Sequence, residues 1–226
     1  MEEPIWFKLM NHCKNIQRVK LSPIRQSKIN KKNFTIIANN CWGGMVYESY
    51  NLIKQSPTVG LYILPSDYLK FIKNLRDYLK YNLQFIDPRD SKNREYIIKE
   101  IKDKKFGTYP IGKLNDIEIY FLHYDSKKSA RDKWNRRVKR IDWNNILYKF
   151  NDQNGCKNEQ LREFDSLDFK NKICFTVREG LSSCKSIYRV KNPLHQDHVN
   201  TFEEPYGCSS IVNVNEIINN MADCKK

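Results

Sequence analysis

Several signatures are missing from this 226-residue chain, and each absence removes a class of function. No run of 18 apolar residues occurs, so the sequence predicts no transmembrane helix. The N-terminal stretch MEEPIWFKLMNHCKNIQ starts acidic and lacks the basic and apolar regions of a secretory signal, so a cytoplasmic location is expected. Seven cysteines (Cys13, Cys41, Cys156, Cys174, Cys184, Cys208 and Cys224) contain no C-x-x-C, which argues against a zinc ribbon or a thioredoxin-like site. Their odd number and wide spacing fit reduced thiols. Neither G-x-G-x-x-G nor G-x-x-x-x-G-K-[ST] is found, which disfavours a dinucleotide enzyme and a P-loop NTPase.

What is present is a chain with 40% apolar and 12% aromatic residues, enough to build a real core. The formal charge of +14 invites a nucleic-acid partner. Abundant Lys, Asn, Ile, Tyr and Phe also give much of that charge a compositional reading, as solvated faces.

Periodicity predicts a short helix near 5–16, a basic connector, and a first strand at 34–38. A helix from about 45 to 53, a second strand at 59–63 and an amphipathic helix at 65–79 follow. A short strand is expected at 83–86, a charged helix at 93–102, and paired strands at 109–113 and 117–123. Beyond these come a basic helix at 127–141, a strand at 146–150, a helix at 157–166, strands at 172–177 and 186–190, and a helix at 214–221. Alternating strands and helices predict an α/β fold, a three-layer Rossmann-like sandwich with a mixed, partly parallel sheet. The expected organisation is a basic extension over 1–33, the α/β domain over 34–190 and a tail over 191–226 packing on it. A weak boundary is placed at 103–108.

The loop after the first strand, Asn39-Asn40-Cys41-Trp42-Gly43-Gly44, is the first candidate site, because α/β sheets bind ligands beyond the carboxyl ends of their strands. Gly43 and Gly44 let a backbone approach a ligand, and Asn39 and Asn40 suit a sugar or ribose. Trp42 offers a flat apolar face, and Cys41 at a helix start is a candidate nucleophile. The competing reading is a capped turn with Cys41 and Trp42 packed inside.

Here the sequence resembles a known family. FTIIANNCWGG, SPTVGLYILPSDYLKFIKNL and KWNRRVKRI, in that order, resemble bacterial proteins labelled exopolysaccharide biosynthesis proteins. The likeness spans about 34–177. It implies an α/β fold and a place in capsule, exopolysaccharide or lipopolysaccharide assembly, and it supplies no reaction or catalytic residue.

In the basic helix, Ala130, Trp134, Val138 and Ile141 share one face, so Trp134 reads as a core anchor. Lys133, Arg137 and Arg140 are candidates for holding a diphosphate, with pairing to Asp or Glu as the structural alternative. His123, closing an apolar strand, is the candidate general base. Asp152, at another strand end, is the candidate ribose or Mg²⁺/Mn²⁺ contact, without a D-x-D to strengthen it. His195-Gln196-Asp197-His198, with Glu203, Glu204 and Cys208 nearby, fits a surface loop better than a zinc site, so no metal ligand is assigned.

The leading expectation is a transferase of surface-glycan assembly, taking a sugar phosphate or sugar nucleotide as substrate. The alternative is a non-catalytic partner of that machinery, with the basic helix docking onto anionic lipid at the inner membrane surface or onto an acidic subunit. Nucleic acid is disfavoured, because that helix lacks interleaved exposed aromatics and no recognised motif occurs.

Overall fold

A computed structural model describes residues 4–191 and 194–221. Cys224 lies outside that range. Two helices open the chain, α1 (Ile5–Lys20) and α2 (Ser22–Gln26). Then come β1 (Thr35–Ala38) and α3 (Trp42–Ser49). The amphipathic stretch forms α4 (Pro65–Lys73) and α5 (Leu75–Tyr78), broken at Asn74, whose backbone leaves the helical region at φ -128° and ψ 38°. Next are β2 (Gln84–Ile86), α6 (Arg94–Tyr96), and a hairpin of β3 (Ile111–Leu114) and β4 (Ile117–Tyr120). The second half holds α7 (Lys127–Val138), β5 (Ile146–Asn151), α8 (Asn158–Ser166), β6 (Lys172–Thr176), β7 (Ile187–Arg189) and α9 (Val214–Asn219).

The strands form two sheets. One is parallel, in the order β1-β5-β6-β7, with Ala38 opposite Lys149 and Asn151 opposite Phe175. The other is antiparallel, in the order β2-β3-β4. The mixed character expected of one sheet is thus divided between two.

Strand alternation sends side chains to opposite faces and makes the layers. Ile37 and Phe150 face a core that includes Tyr68 and Leu69 of α4, Trp134 of α7 and Phe164 of α8. Ile36, Leu147 and Phe175 face the other, with Trp42 and Tyr47 of α3 and Val214 and Ile218 of α9. Helices therefore cover both faces of the parallel sheet, the three-layer arrangement expected of an α/β sandwich.

The expected second strand, 59–63, is not a strand. Gly60 sits at φ +80° under the Tyr124 ring, and that turn breaks the extended run. What remains is a joint between the sheets. Tyr62 exchanges both backbone hydrogen bonds with Tyr120 of β4, at 2.9 and 3.0 Å, while the Ile63 N–H donates to the Asn39 carbonyl at 3.0 Å. Thr58, just before this segment, covers the outer edge of β1, where its Oγ1 accepts from the Ala38 N–H at 3.1 Å.

Among the described residues no helix is long and apolar enough to cross a membrane.

Candidate functional site

The carboxyl ends of β1 and β5 open into a cleft of about 340 Å³. One wall carries Asn40 and Cys41 after β1, Gln153 and Asn154 after β5, and Thr201 from the tail. The other carries Tyr62, Asp103 and Lys105. The strand order runs without reversal, so the cleft is no switch point of the sheet. It lies where the parallel sheet meets the segments leading into the antiparallel one.

The first wall rests on a buried polar network. Lys149 points from β5 into the layer of Trp42 and Phe175 and is fully buried. Its Nζ donates to Glu204 Oε1 at 2.5 Å and to Asn40 Oδ1 at 2.8 Å. Burial pushes the Lys149 pKa down and the Glu204 pKa up, each opposed by the partner's charge. Asn40 Nδ2 donates to Gln153 Oε1 at 3.0 Å, Thr201 Oγ1 at 3.1 Å and Glu204 Oε2 at 3.1 Å. Asn40 thus meets Lys149 with its carbonyl and Glu204 with its amide.

The second wall comes from a strained turn. The charged helix expected at 93–102 begins as α6 and continues as a π-helical turn over Ile97–Ile101. Lys102 ends it in the left-handed region, at φ 56°. Wide helical turns and left-handed residues recur where a side chain must be aimed. Asp103 follows directly. Its Oδ2 accepts from Tyr109 Oη at 2.6 Å and from Tyr62 Oη at 3.4 Å, and the two phenols lie 2.7 Å apart. Burial first drives both phenol pKa values up, followed by Tyr109 and then Asp103 for Tyr62, and by Asp103 for Tyr109, so both rings stay protonated.

The residues expected at the site divide. Asn40 and Cys41 line the cleft. Asn39 lies beneath it, donating to Asn151 Oδ1 at 2.7 Å, with its own Oδ1 buried and unpartnered among the described residues. Trp42 is core: its ring meets Phe175 edge-on and its Nε1 donates to the Pro205 carbonyl at 2.9 Å. Gly43 and Gly44 serve helix packing, since a Cβ there would come within 3.1 Å of Ile36 and 3.0 Å of Val59. The glycines bring α3 against β1 and the 59–63 segment rather than a backbone against a ligand.

The Cys41 thiol is pushed up to about 12, chiefly by burial, so at neutral pH it is a thiol and a poor nucleophile. His123 is exposed and is not among the residues lining the cleft; desolvation and the nearby Lys105 charge press its pKa down. Asp152 is buried and occupied. Its Oδ2 accepts from Thr176 Oγ1 at 2.6 Å and the Val177 N–H at 2.8 Å, and its Oδ1 from the Val199 N–H at 2.8 Å. It fastens the tail to β6, and its burial keeps it from a ribose or a divalent ion.

Lys133, Arg137 and Arg140 do not converge. Arg137 is buried, donating to Tyr124 Oη at 2.5 Å and the Val59 carbonyl at 3.2 Å. Lys133 stands over the Tyr124 ring at 5.1 Å. Arg140 borders a hollow with Asn33 and Gln55, at the amino end of β1, the opposite end from the cleft.

A larger hollow of about 670 Å³ lies between α2 and the tail. It is a joint: the Arg25 guanidinium there donates to the Gln17, Arg18 and Ser49 carbonyls and covers the Tyr206 ring at 5.1 Å. Among the described residues no group of three or more His, Cys, Asp or Glu is placed to hold a metal ion.

A family model described as Domain of unknown function (DUF1919) matches residues 12–221, a span that includes both walls and the tail residues that complete them. The chain belongs to this family. A Haemophilus influenzae protein, itself described as uncharacterized, is 32% identical over 183 residues, covering 81% of this chain and 80% of that protein. In this DUF1919 chain, Tyr62, Asp103, Lys105, Gln153, Asn154 and Thr201 are the polar cleft residues that the sequence did not single out. Asp103 sits in the Asp-Lys-Lys-Phe-Gly-Thr run that reads as a domain boundary.

Proposed function

We propose that this DUF1919 protein acts in surface polysaccharide assembly as a transferase, on a sugar activated by a nucleotide- or lipid-linked diphosphate. The observation that carries the reading is the composition of the cleft. A carboxylate oriented by two phenols faces amides and a hydroxyl across about 340 Å³, beside one lysine. Amide and hydroxyl pairs recognise sugar hydroxyls by paired donors and acceptors. The three sequence blocks that resemble exopolysaccharide biosynthesis proteins add the biological setting.

In this reading Asp103 is the general base. It takes the proton from an acceptor hydroxyl as the new C–O bond forms at the anomeric carbon, and the diphosphate leaves with the electron pair of the bond that breaks. Tyr62 and Tyr109 hold the carboxylate in place. Lys105 supplies positive charge for the departing phosphate. Asn40, Gln153 and Thr201 orient the sugar. Asp103 is the single carboxylate lining the cleft, a thin donor set for Mg²⁺ or Mn²⁺. No step is routed through an ion.

The test is a thermal-shift panel of sugar nucleotides and lipid-diphosphate sugars, with and without Mg²⁺ or Mn²⁺, followed by turnover with the ligand that binds. A ligand at about 100 times its dissociation constant adds roughly 2.7 kcal/mol. Gln153→Ala should weaken binding, while Asp103→Asn should bind normally and lose turnover. A folded protein that responds to no member of the panel overturns the reading. Binding without turnover in the wild type would favour the non-catalytic partner instead.

A further inference from the structure

We infer that α1 is a docking element for an anionic bilayer surface, an inference independent of the reading of the cleft. The helix is inside out with respect to the fold. Phe7 is its buried side chain, and Arg18 on the same face pairs with Glu48 of α3 at 3.3 Å. The opposite face is open to solvent and carries an apolar stripe interrupted by the exposed His12. At 100° per residue, Ile5, Leu9 and Ile16 fall within an arc of about 40°, with Val19 and Trp6 on either flank. Ile5 is 77% exposed, Leu9 61%, Val19 60% and Trp6 52%, and Ile24 of α2 adds 59% nearby in the chain. Helices normally bury such a stripe.

Charge chooses the occupant. From Pro4 to Tyr47 the chain contains Lys and Arg but no Asp or Glu. Lys8 and Lys20 flank the stripe, and Lys28 follows α2; all three are exposed. A second copy docked face to face would bring those lysines against their equals. An anionic bilayer matches both properties, with the aliphatic residues and Trp6 entering the acyl boundary and the lysines reaching lipid phosphates. Sequence reasoning placed membrane contact on the basic helix. There Arg137 is buried, Arg131 lies over Phe85, Lys133 lies over Tyr124 and Lys128 pairs with Asp132, so α7 has no comparable apolar face.

The experiment is co-sedimentation of the full chain with vesicles of phosphatidylcholine, alone or mixed with phosphatidylglycerol, read alongside tryptophan emission. Trp42 and Trp134 are buried and Trp143 is partly so, which makes a blue shift on binding a report chiefly on Trp6. Binding should require phosphatidylglycerol and weaken with salt. Leu9→Ser/Ile16→Ser, at exposed positions that leave the fold intact, should weaken it by about tenfold or more. Lys8→Gln/Lys20→Gln should weaken it several-fold, and Lys127→Gln/Lys139→Gln, at the two ends of α7, should not. Absence of binding to anionic vesicles overturns the inference, as does an equal loss in the α7 variant. So does a wild-type dimer in sedimentation velocity that Leu9→Ser/Ile16→Ser dissolves without any vesicle binding.

Discussion

Lys149 Nζ lies 2.5 Å from Glu204 Oε1, and solvent reaches neither side chain. The pair joins the middle of the parallel sheet to the tail, across 55 residues of sequence. Removing one charge strands the other in a low-dielectric interior. Lys149→Met should therefore cost about 3–5 kcal/mol in urea unfolding. The double variant Lys149→Met/Glu204→Gln should recover part of that loss. A single variant as stable as the wild type would show that the pair is not closed in solution.

Arg137 should behave as a structural residue. Its guanidinium holds Tyr124 and the Val59 carbonyl, so Arg137→Ala should lower stability by about 1–3 kcal/mol. At a temperature where the variant is folded, its response to any ligand of the cleft should match the wild type. A selective loss of ligand response with unchanged stability would return Arg137 to the binding machinery.

Acid should weaken the fold in a defined window through Asp116. The Tyr78 phenol first, and then Lys70, hold its carboxyl at about 2, against an ordinary value of 3.8. A folded-state pKa below the unfolded one gives stability that is present above the ordinary value and is lost as pH falls toward 2. Melting temperature against pH for the wild type and Asp116→Asn should diverge above pH 4 and converge toward pH 2. Curves that stay parallel across this range would show that the carboxyl is not held.

Gly155 should resist substitution. It sits at φ +71° in the turn that carries Asn154 into the cleft, and a Cβ there would lie 1.6 Å from Tyr96 Oη. Gly155→Ala should destabilise by about 1–3 kcal/mol. Combining it with Tyr96→Phe relieves the closest contact and leaves the backbone strain, so recovery should be partial.

Cysteine labelling should follow burial. Cys13 and Cys208 are exposed, whereas the Cys41 thiol is pushed up to about 12. Alkylation at neutral pH, mapped by mass spectrometry, should modify the first two well before Cys41. Early labelling of Cys41 would restore its candidacy as a nucleophile.

The α/β character was legible because apolar runs such as Ile173-Cys174-Phe175 and the stripe through Tyr68, Leu69 and Ile72 announce their elements directly. Asn40 was legible too, since it follows a strand at the end where ligands gather. Other residues depended on distant partners. Lys149 looks like one polar position in the strand Ile-Leu-Tyr-Lys-Phe-Asn until Glu204 folds onto it. Asp103 looks like linker until the left-handed turn at Lys102 aims it at Tyr62 and Tyr109. Gly43 and Gly44 follow the same logic in reverse: a turn that resembles a ligand cradle serves helix packing. Local pattern names the element, and the long-range partner names the role.

The tail segment that brings Thr201 to the cleft is pinned on both sides, at Val199 by Asp152 and at Glu204 by Lys149. Lifting it would strip a buried lysine of its counter-charge, so the segment is a poor gate. A ligand should meet a site already shaped to receive it. Stopped-flow traces should then be single-exponential, with an observed rate rising linearly with ligand concentration rather than levelling off at an opening rate.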